Sequence, residues 1–229
     1  TVALVLAGCA TPGVIGDIFG GGSTPAATTS VGLTGGAISP GEEAPSRGDP
    51  VAELYNAGLE KLRAGSYKAA AKSFAEVERQ HPYSKWATKA LLMQAFANYQ
   101  RNAYDDAINA ANRFITLHPG HKDSAYAYYL TAISQYEQIS DVRRDQSRTE
   151  KALEALEEVS RRFGQSPYAA DAAKKAVLAR DHLAAKEMEV GRYYLKKGSY
   201  LAGINRFKKV VTDYQTTSQV PEALYRLTE

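Results

Sequence analysis

VAELYNAGLEKLRAGSYKAAAKSFAEVERQHP, residues Val51 to Pro82, reads as two amphipathic helices joined by a turn, and the chain beyond Pro82 repeats this pattern imperfectly. Gly58 is the small residue where the first helix crosses the second. Tyr67 follows the turn, and Ala70, Phe74 and Pro82 come after it at spacings of four and then eight. The spacing has a physical reading. A small residue lets the first helix approach the second, Ala70 is the matching small face, Phe74 fills the gap to the next hairpin, and Pro82 stops the second helix. One hairpin of this kind cannot bury its own apolar face, so neighbours must stack on it.

These positions resemble the tetratricopeptide repeat (TPR). The expected fold is all-α: a TPR right-handed superhelix of stacked antiparallel helix pairs over 50–229, carried on a disordered N-terminal lipoprotein tether. Asp49 and Pro50 make an N-cap and N1 pair for the first helix. The units run over about 51–82, 84–119, 121–167 and 168–215, with the start of a fifth from 221. Pro119 follows Pro82 by 37 residues, close to the period of about 34 expected of such repeats. In the second unit Ala95 takes the place of Gly58, and Tyr104 and Ala107 hold the positions of Tyr67 and Ala70. Ala111 is a weak Phe position for which Phe114 compensates one turn on. The third unit is longer, 48 residues from Pro119 to Pro167, with the extra residues at Ser140–Ser147 between its two helices. The fourth opens at Tyr168 and has no Gly or Pro until Gly191, which predicts a first helix of about 30 residues, roughly 45 Å long.

A different composition precedes the repeats. Residues 10–49 are rich in Gly, Ser, Thr, Pro and Ala and hold ten of the eighteen glycines. As a flexible coil this linker would have a reach of roughly 35 Å. The only cysteine, Cys9, rules out an internal disulfide and a Cys-rich zinc site. It ends an apolar run, Leu6-Ala7-Gly8-Cys9, that resembles a lipoprotein lipobox, so residues 1–9 read as a residual signal peptide and Cys9 as the lipidation site. Two or more acyl chains there would give stable anchoring. Ala10, rather than Asp, after the cysteine resembles the outer-membrane sorting pattern.

With 28 basic against 25 acidic side chains the net charge is only +3, and no electrostatic term favours nucleic acid. Fifteen Tyr against six Phe suits binding surfaces as well as cores. His118 and His121 flank a Pro-Gly break that destroys helical ligand spacing, so no metal is expected. Neither a phosphate loop nor a nucleophile elbow is present. The chain reads as a non-enzyme with no cofactor and no catalytic residues. In stacked TPR hairpins the first helices face a concave groove, which here is expected to carry Tyr55, Leu59, Phe96, Tyr99, Tyr126, Tyr129, Ile133 and Tyr136. Such a face suits an extended peptide with apolar side chains, unless individual rings belong to the core between repeats. Tyr55, Leu59, Met93, Tyr126 and Leu130 stand where chaperone-tail TPR domains carry a Lys and Asn carboxylate clamp, which argues against that ligand class.

Lipobox, linker, repeats and the polar insertion together resemble the BamD family, the TPR lipoproteins of the outer-membrane β-barrel assembly (BAM) machine. The more specific residues are Arg144-Asp145-Gln146 in the insertion, Ser166-Pro167-Tyr168-Ala169 with Asp171-Ala172, and Tyr193-Tyr194, Gly198 and Asn205-Arg206. The resemblance implies a lipid-anchored scaffold on the periplasmic face of the outer membrane. Its N-terminal repeats would take C-terminal signals of unfolded outer-membrane β-barrel proteins. Its C-terminal repeats would dock the POTRA region of BamA, with Arg192, Tyr193, Asn205 and Arg206 at that contact and other BAM lipoproteins alongside. A TPR lipoprotein adaptor for type IV pilus secretin assembly, or for cell-wall enzymes, would share most of these features.

Overall fold

The computed structural model describes residues 49–229; Cys9, the signal segment and the linker as far as Gly48 lie outside the described residues. Nine helices and no strand are found among the described residues: α1 Pro50–Arg63, α2 Tyr67–Gln80, α3 Lys85–Gln100, α4 Tyr104–Leu117, α5 Ser124–Tyr136, α6 Ser147–Arg162, α7 Ala169–Lys196, α8 Tyr200–Asp213 and α9 Val220–Thr228. Each helix packs on the next. The odd-numbered helices α1, α3, α5 and α7 also pack on one another in succession, whereas the even-numbered ones form no such layer. This is the stacked-hairpin TPR architecture, with the first helix of every pair on the inner side.

Local chemistry sets the helix ends. Asp49 Oδ1 accepts from the Val51 amide at 3.0 Å and Ser84 Oγ from the Ala87 amide at 3.0 Å, satisfying donors that a helix start leaves open. Gly65, Asn102 and Gly198, at the equivalent turn of the first, second and fourth pairs, have φ of 71°, 61° and 73°. At each, the next amide reaches back five residues to a helix carbonyl, Ser66 to Lys61, Ala103 to Asn98 and Ser199 to Tyr194, a Schellman ending. The third pair has the insertion in this place.

Three clusters form the core. Phe74 and Val77 centre the first, Phe114, Leu130, Leu156 and Val159 the second, and Met188, Phe207 and Val210 the third. A Cβ on Gly58 would lie 2.7 Å from the Phe74 ring, and one on Gly191 2.5 Å from Phe207, so in the first and fourth pairs glycine makes room for a phenylalanine. The second pair has Ala95 and Ala111 at these positions, both fully buried, and Phe114 fills the space one turn further along.

Along α7 the second cluster ends at Ala176 and the third begins at Ala184. This helix of 28 residues, about 42 Å long, therefore joins two bodies. The insertion lies against the join. The Gln146 side-chain amide donates to the carbonyls of Asp141, Val142 and Arg144 at 3.2, 3.1 and 3.0 Å, while its Oε1 accepts from Thr149 at 2.9 Å and meets His182 Nδ1 at 3.1 Å. Lys186 donates to the Arg143 carbonyl at 3.0 Å, and Arg143 pairs with Glu189 at 3.4 Å. The loop, which makes a tight turn at 141–144, is thus folded round one amide and held on α7.

Candidate functional site

The inner layer places its aromatic residues in two depths. Tyr55, Tyr126 and Tyr129 are only 7% to 9% exposed and belong to the core, as does Ile133. Tyr55 packs on Phe74 and on Trp86 of the next inner helix, with ring centroids 5.5 and 5.1 Å apart. Tyr126 and Tyr129 lie 5.3 and 5.1 Å from the Tyr168 ring, the second nearly parallel to it. These three rings act as mortar between repeats and do not offer open groove surface, which corrects the expectation for them. Leu59, Phe96, Tyr99 and Tyr136 are half-buried: they lean on the core and keep part of their surface outside it.

Tyr129 and Tyr136 gather around a charge pair. The Tyr129 hydroxyl donates to Asp171 at 2.6 Å, Lys175 pairs with the same carboxylate at 3.0 Å, and the Lys175 ammonium stands 5.8 Å from the Tyr136 ring centre. Tyr99 packs on Tyr104 at 5.9 Å. Burial raises the Tyr55 hydroxyl to about 12, and burial followed by the charge of Glu137 does the same for Tyr99. Tyr126 is pushed up by burial and Tyr129 by burial and its bond to Asp171, both beyond the ordinary phenol range. All four remain neutral donors at physiological pH. Tyr168, Asp171 and Lys175 join the layer without being expected from the first-helix pattern. The i, i+4 spacing of Asp171 and Lys175, one turn into α7, is the available signal.

The four residues expected at a C-terminal partner contact divide differently. Arg192 grips Glu222 on α9 through two bonds of 2.8 and 2.6 Å and meets Glu189 at 3.2 Å. Arg206 pairs with Glu187 at 2.9 Å, and Lys209 binds the same carboxylate at 2.7 Å. Burial pushes Glu187 up, but the bonds from Lys209 and Arg206 outweigh it and hold the carboxyl below its usual value. Both arginines therefore fix the last helices to α7 while keeping side-chain exposures of 33% and 42%. Tyr193 and Asn205 are open, with the Tyr193 ring 56% exposed and edge-on to Tyr194. Exposed Tyr200 and Leu201 open the next helix. His118 and His121 both pack on the Phe114 ring at 5.5 Å.

Residues 47–229 match the family described as YfiO, outer membrane lipoprotein. The chain belongs to this family. A relative from Caulobacter vibrioides, named outer membrane protein assembly factor BamD, is 51% identical over 180 residues, covering 79% of this chain and 59% of its own length. Proteins of the same name from Rickettsia prowazekii and Neisseria gonorrhoeae are 47% and 35% identical, and the matches cover 72% and 69% of those proteins. The chain thus spans about three fifths of the first of these YfiO-family relatives and about seven tenths of the other two. Among solved structures, a MamA fragment from Desulfovibrio magneticus overlays with a TM-score of 0.42 at 19% identity, covering 72% of this chain and 94% of that one. No helix among the described residues is long and apolar enough to cross a membrane.

Proposed function

We propose that this chain is a non-enzymatic scaffold for assembling outer-membrane β-barrel proteins, anchored by lipid on Cys9 at the periplasmic face. The inner layer receives the C-terminal signals of unfolded barrels, and the C-terminal repeats dock the POTRA region of BamA. The observation that carries the first part is the set of half-buried Leu59, Phe96, Tyr99 and Tyr136 on the inner helices, of which Tyr136 lies beside Lys175 of the Asp171–Lys175 pair. Rings with part of their surface free can take apolar side chains of an extended peptide, and neutral Tyr hydroxyls can bond its backbone. Relatives named for outer-membrane protein assembly support the client class. For the second part, Tyr193, Asn205, Tyr200 and Leu201 supply open surface beside arginines whose geometry is already fixed, and pre-arranged Arg and Tyr are frequent anchors at interfaces.

Photo-crosslinking tests the inner-face reading. A crosslinker at Phe96 should capture a labelled β-barrel C-terminal peptide, and one at fully exposed Tyr83, at the turn between α2 and α3, should not. Equal capture at both positions would contradict it.

A further inference from the structure

On the outer face, away from the tyrosine layer, α2 and α4 stand apart over α3 and leave a groove of about 400 Å³. The facing side chains are small: Ala71 and Ala75 on α2 and Ala110 on α4. The rim is cationic. Lys68 and Lys72 lie one turn apart on α2, Arg101 caps α3, and Arg113 comes from α4. Asn98 Oδ1 accepts from Arg101 Nε at 2.9 Å and Asp106 pairs with the same guanidinium, so Arg101 is held in place. Arg113 pairs with Glu78 at 2.8 Å. Lys68 and Lys72 have no hydrogen bond or ion pair among the described residues. Four cations against two carboxylates leave two positive charges in excess. A second concavity of about 470 Å³ continues over the turn between α1 and α2 and shares Lys68, Lys72 and Arg101.

Repeat stacking does not require these charges. One repeat on, Asp105 and Asn109 stand where the first pair has Lys68 and Lys72, and Glu158 of the third pair stands where the second has Arg113. The first two pairs therefore carry a charge arrangement of their own.

We propose that this groove binds a phosphate monoester, with Lys68, Lys72 and Arg101 on the phosphate oxygens and the esterified group lying in one of the two adjoining concavities. The excess of two charges matches a phosphate dianion. Three separate donor groups match its three terminal oxygens, whereas a carboxylate offers two, and Arg and Lys make their strongest bonds to such anions. A soluble ester and a lipid headgroup share this chemistry. The site lies on the opposite side from the proposed peptide face and does not depend on that reading.

Calorimetry of the full chain with glycerol 3-phosphate, and co-sedimentation with phosphatidylcholine vesicles with and without phosphatidic acid, would test it. We expect saturable binding that weakens with salt and falls about tenfold or more for each charge-assisted bond that the double variant Lys68→Glu, Lys72→Glu removes. Lys174→Glu, on the exposed side of α7, should change nothing, and the helical signal of every variant should persist. Binding of glycerol 3-phosphate alone supports a soluble ester, and binding of phosphatidic acid vesicles, with or without it, supports a headgroup. Binding of neither probe at low salt, equal affinity for succinate, or binding that survives the double reversal would overturn the proposal.

Discussion

Gly58 and Gly191 each stand sixteen residues before the phenylalanine they make room for, Phe74 and Phe207. An added methyl would meet a stiff ring that has no flexible end to withdraw. Gly58→Ala should therefore cost about 1–3 kcal/mol of stability by overpacking. Adding Phe74→Leu should restore part of the loss, since the third pair carries Ala132 with Leu156 and buries both. Urea unfolding of the single and double variants checks this, and a double variant less stable than both singles would contradict the volume exchange. The buried tyrosines make a second prediction. In the unfolded chain they ionise near pH 10, while Tyr55 and Tyr99 in the fold hold their protons to about 12. Between those values the unfolded state binds fewer protons, so stability is intact below about pH 10 and falls as pH rises through this window. Tyrosinate absorbance should show a late-titrating group in the folded chain that shifts to about pH 10 in denaturant. Gly58 was legible in the sequence as a point of close approach, but its partner was not: the spacing set Ala70 opposite it and gave Phe74 to the next hairpin, whereas the Phe74 ring lies on Gly58 itself, as Phe207 does on Gly191. Nor was the depth of each tyrosine legible. An inner helix packs on its own partner and on the next inner helix, so its apolar surface covers much of its circumference and periodicity does not divide core from groove.

At the scale of elements, prolines and the Gly-Ser-Tyr turn marked the hairpins well, and the long α7 followed from the absence of breakers between Tyr168 and Gly191. The insertion was legible as extra length between α5 and α6, but its role was not, because its partners lie more than thirty residues away on α7. There it steadies the stretch between two core clusters, with Gln146 as the hub. Gln146→Ala removes the bonds to three carbonyls, to Thr149 and to His182 at once. Because much of the loop is solvated, the expected cost is about 1–2 kcal/mol. Hydrogen exchange should quicken in residues 138–146 and in α7 near His182, with α1 and α2 unchanged. Uniform exchange throughout the chain would show that the loop is passive.

The whole molecule presents different chemistry along its length. Half-buried Leu59 in the first pair and half-buried rings in the second and third line the inner layer, and ion-paired arginines beside open Tyr193 mark the last helices. The arginines expected to meet a partner also serve the fold, which the sequence does not reveal, since Glu187 lies nineteen residues from Arg206 and Glu222 thirty from Arg192. This double use makes the choice of variant matter. Arg206→Glu sets a negative charge beside Glu187, so loss of partner binding means something only if the thermal transition is retained. Tyr99 on the peptide face has no ion pair to lose, since its ring packs on Tyr104 and its hydroxyl makes no hydrogen bond among the described residues, but the ring leans on the core, so its variant too is read only with the thermal transition retained. The most direct measurement is fluorescence anisotropy of a labelled β-barrel C-terminal peptide ending in an aromatic residue, titrated with the full chain, its Tyr99→Ala variant and its Arg206→Glu variant. We predict saturable binding that is absent for a scrambled peptide, weakened about tenfold by Tyr99→Ala as expected for an aromatic anchor, and unchanged by Arg206→Glu. Equal binding of the scrambled peptide, or a Tyr99→Ala chain that binds as tightly as the parent, would contradict the account.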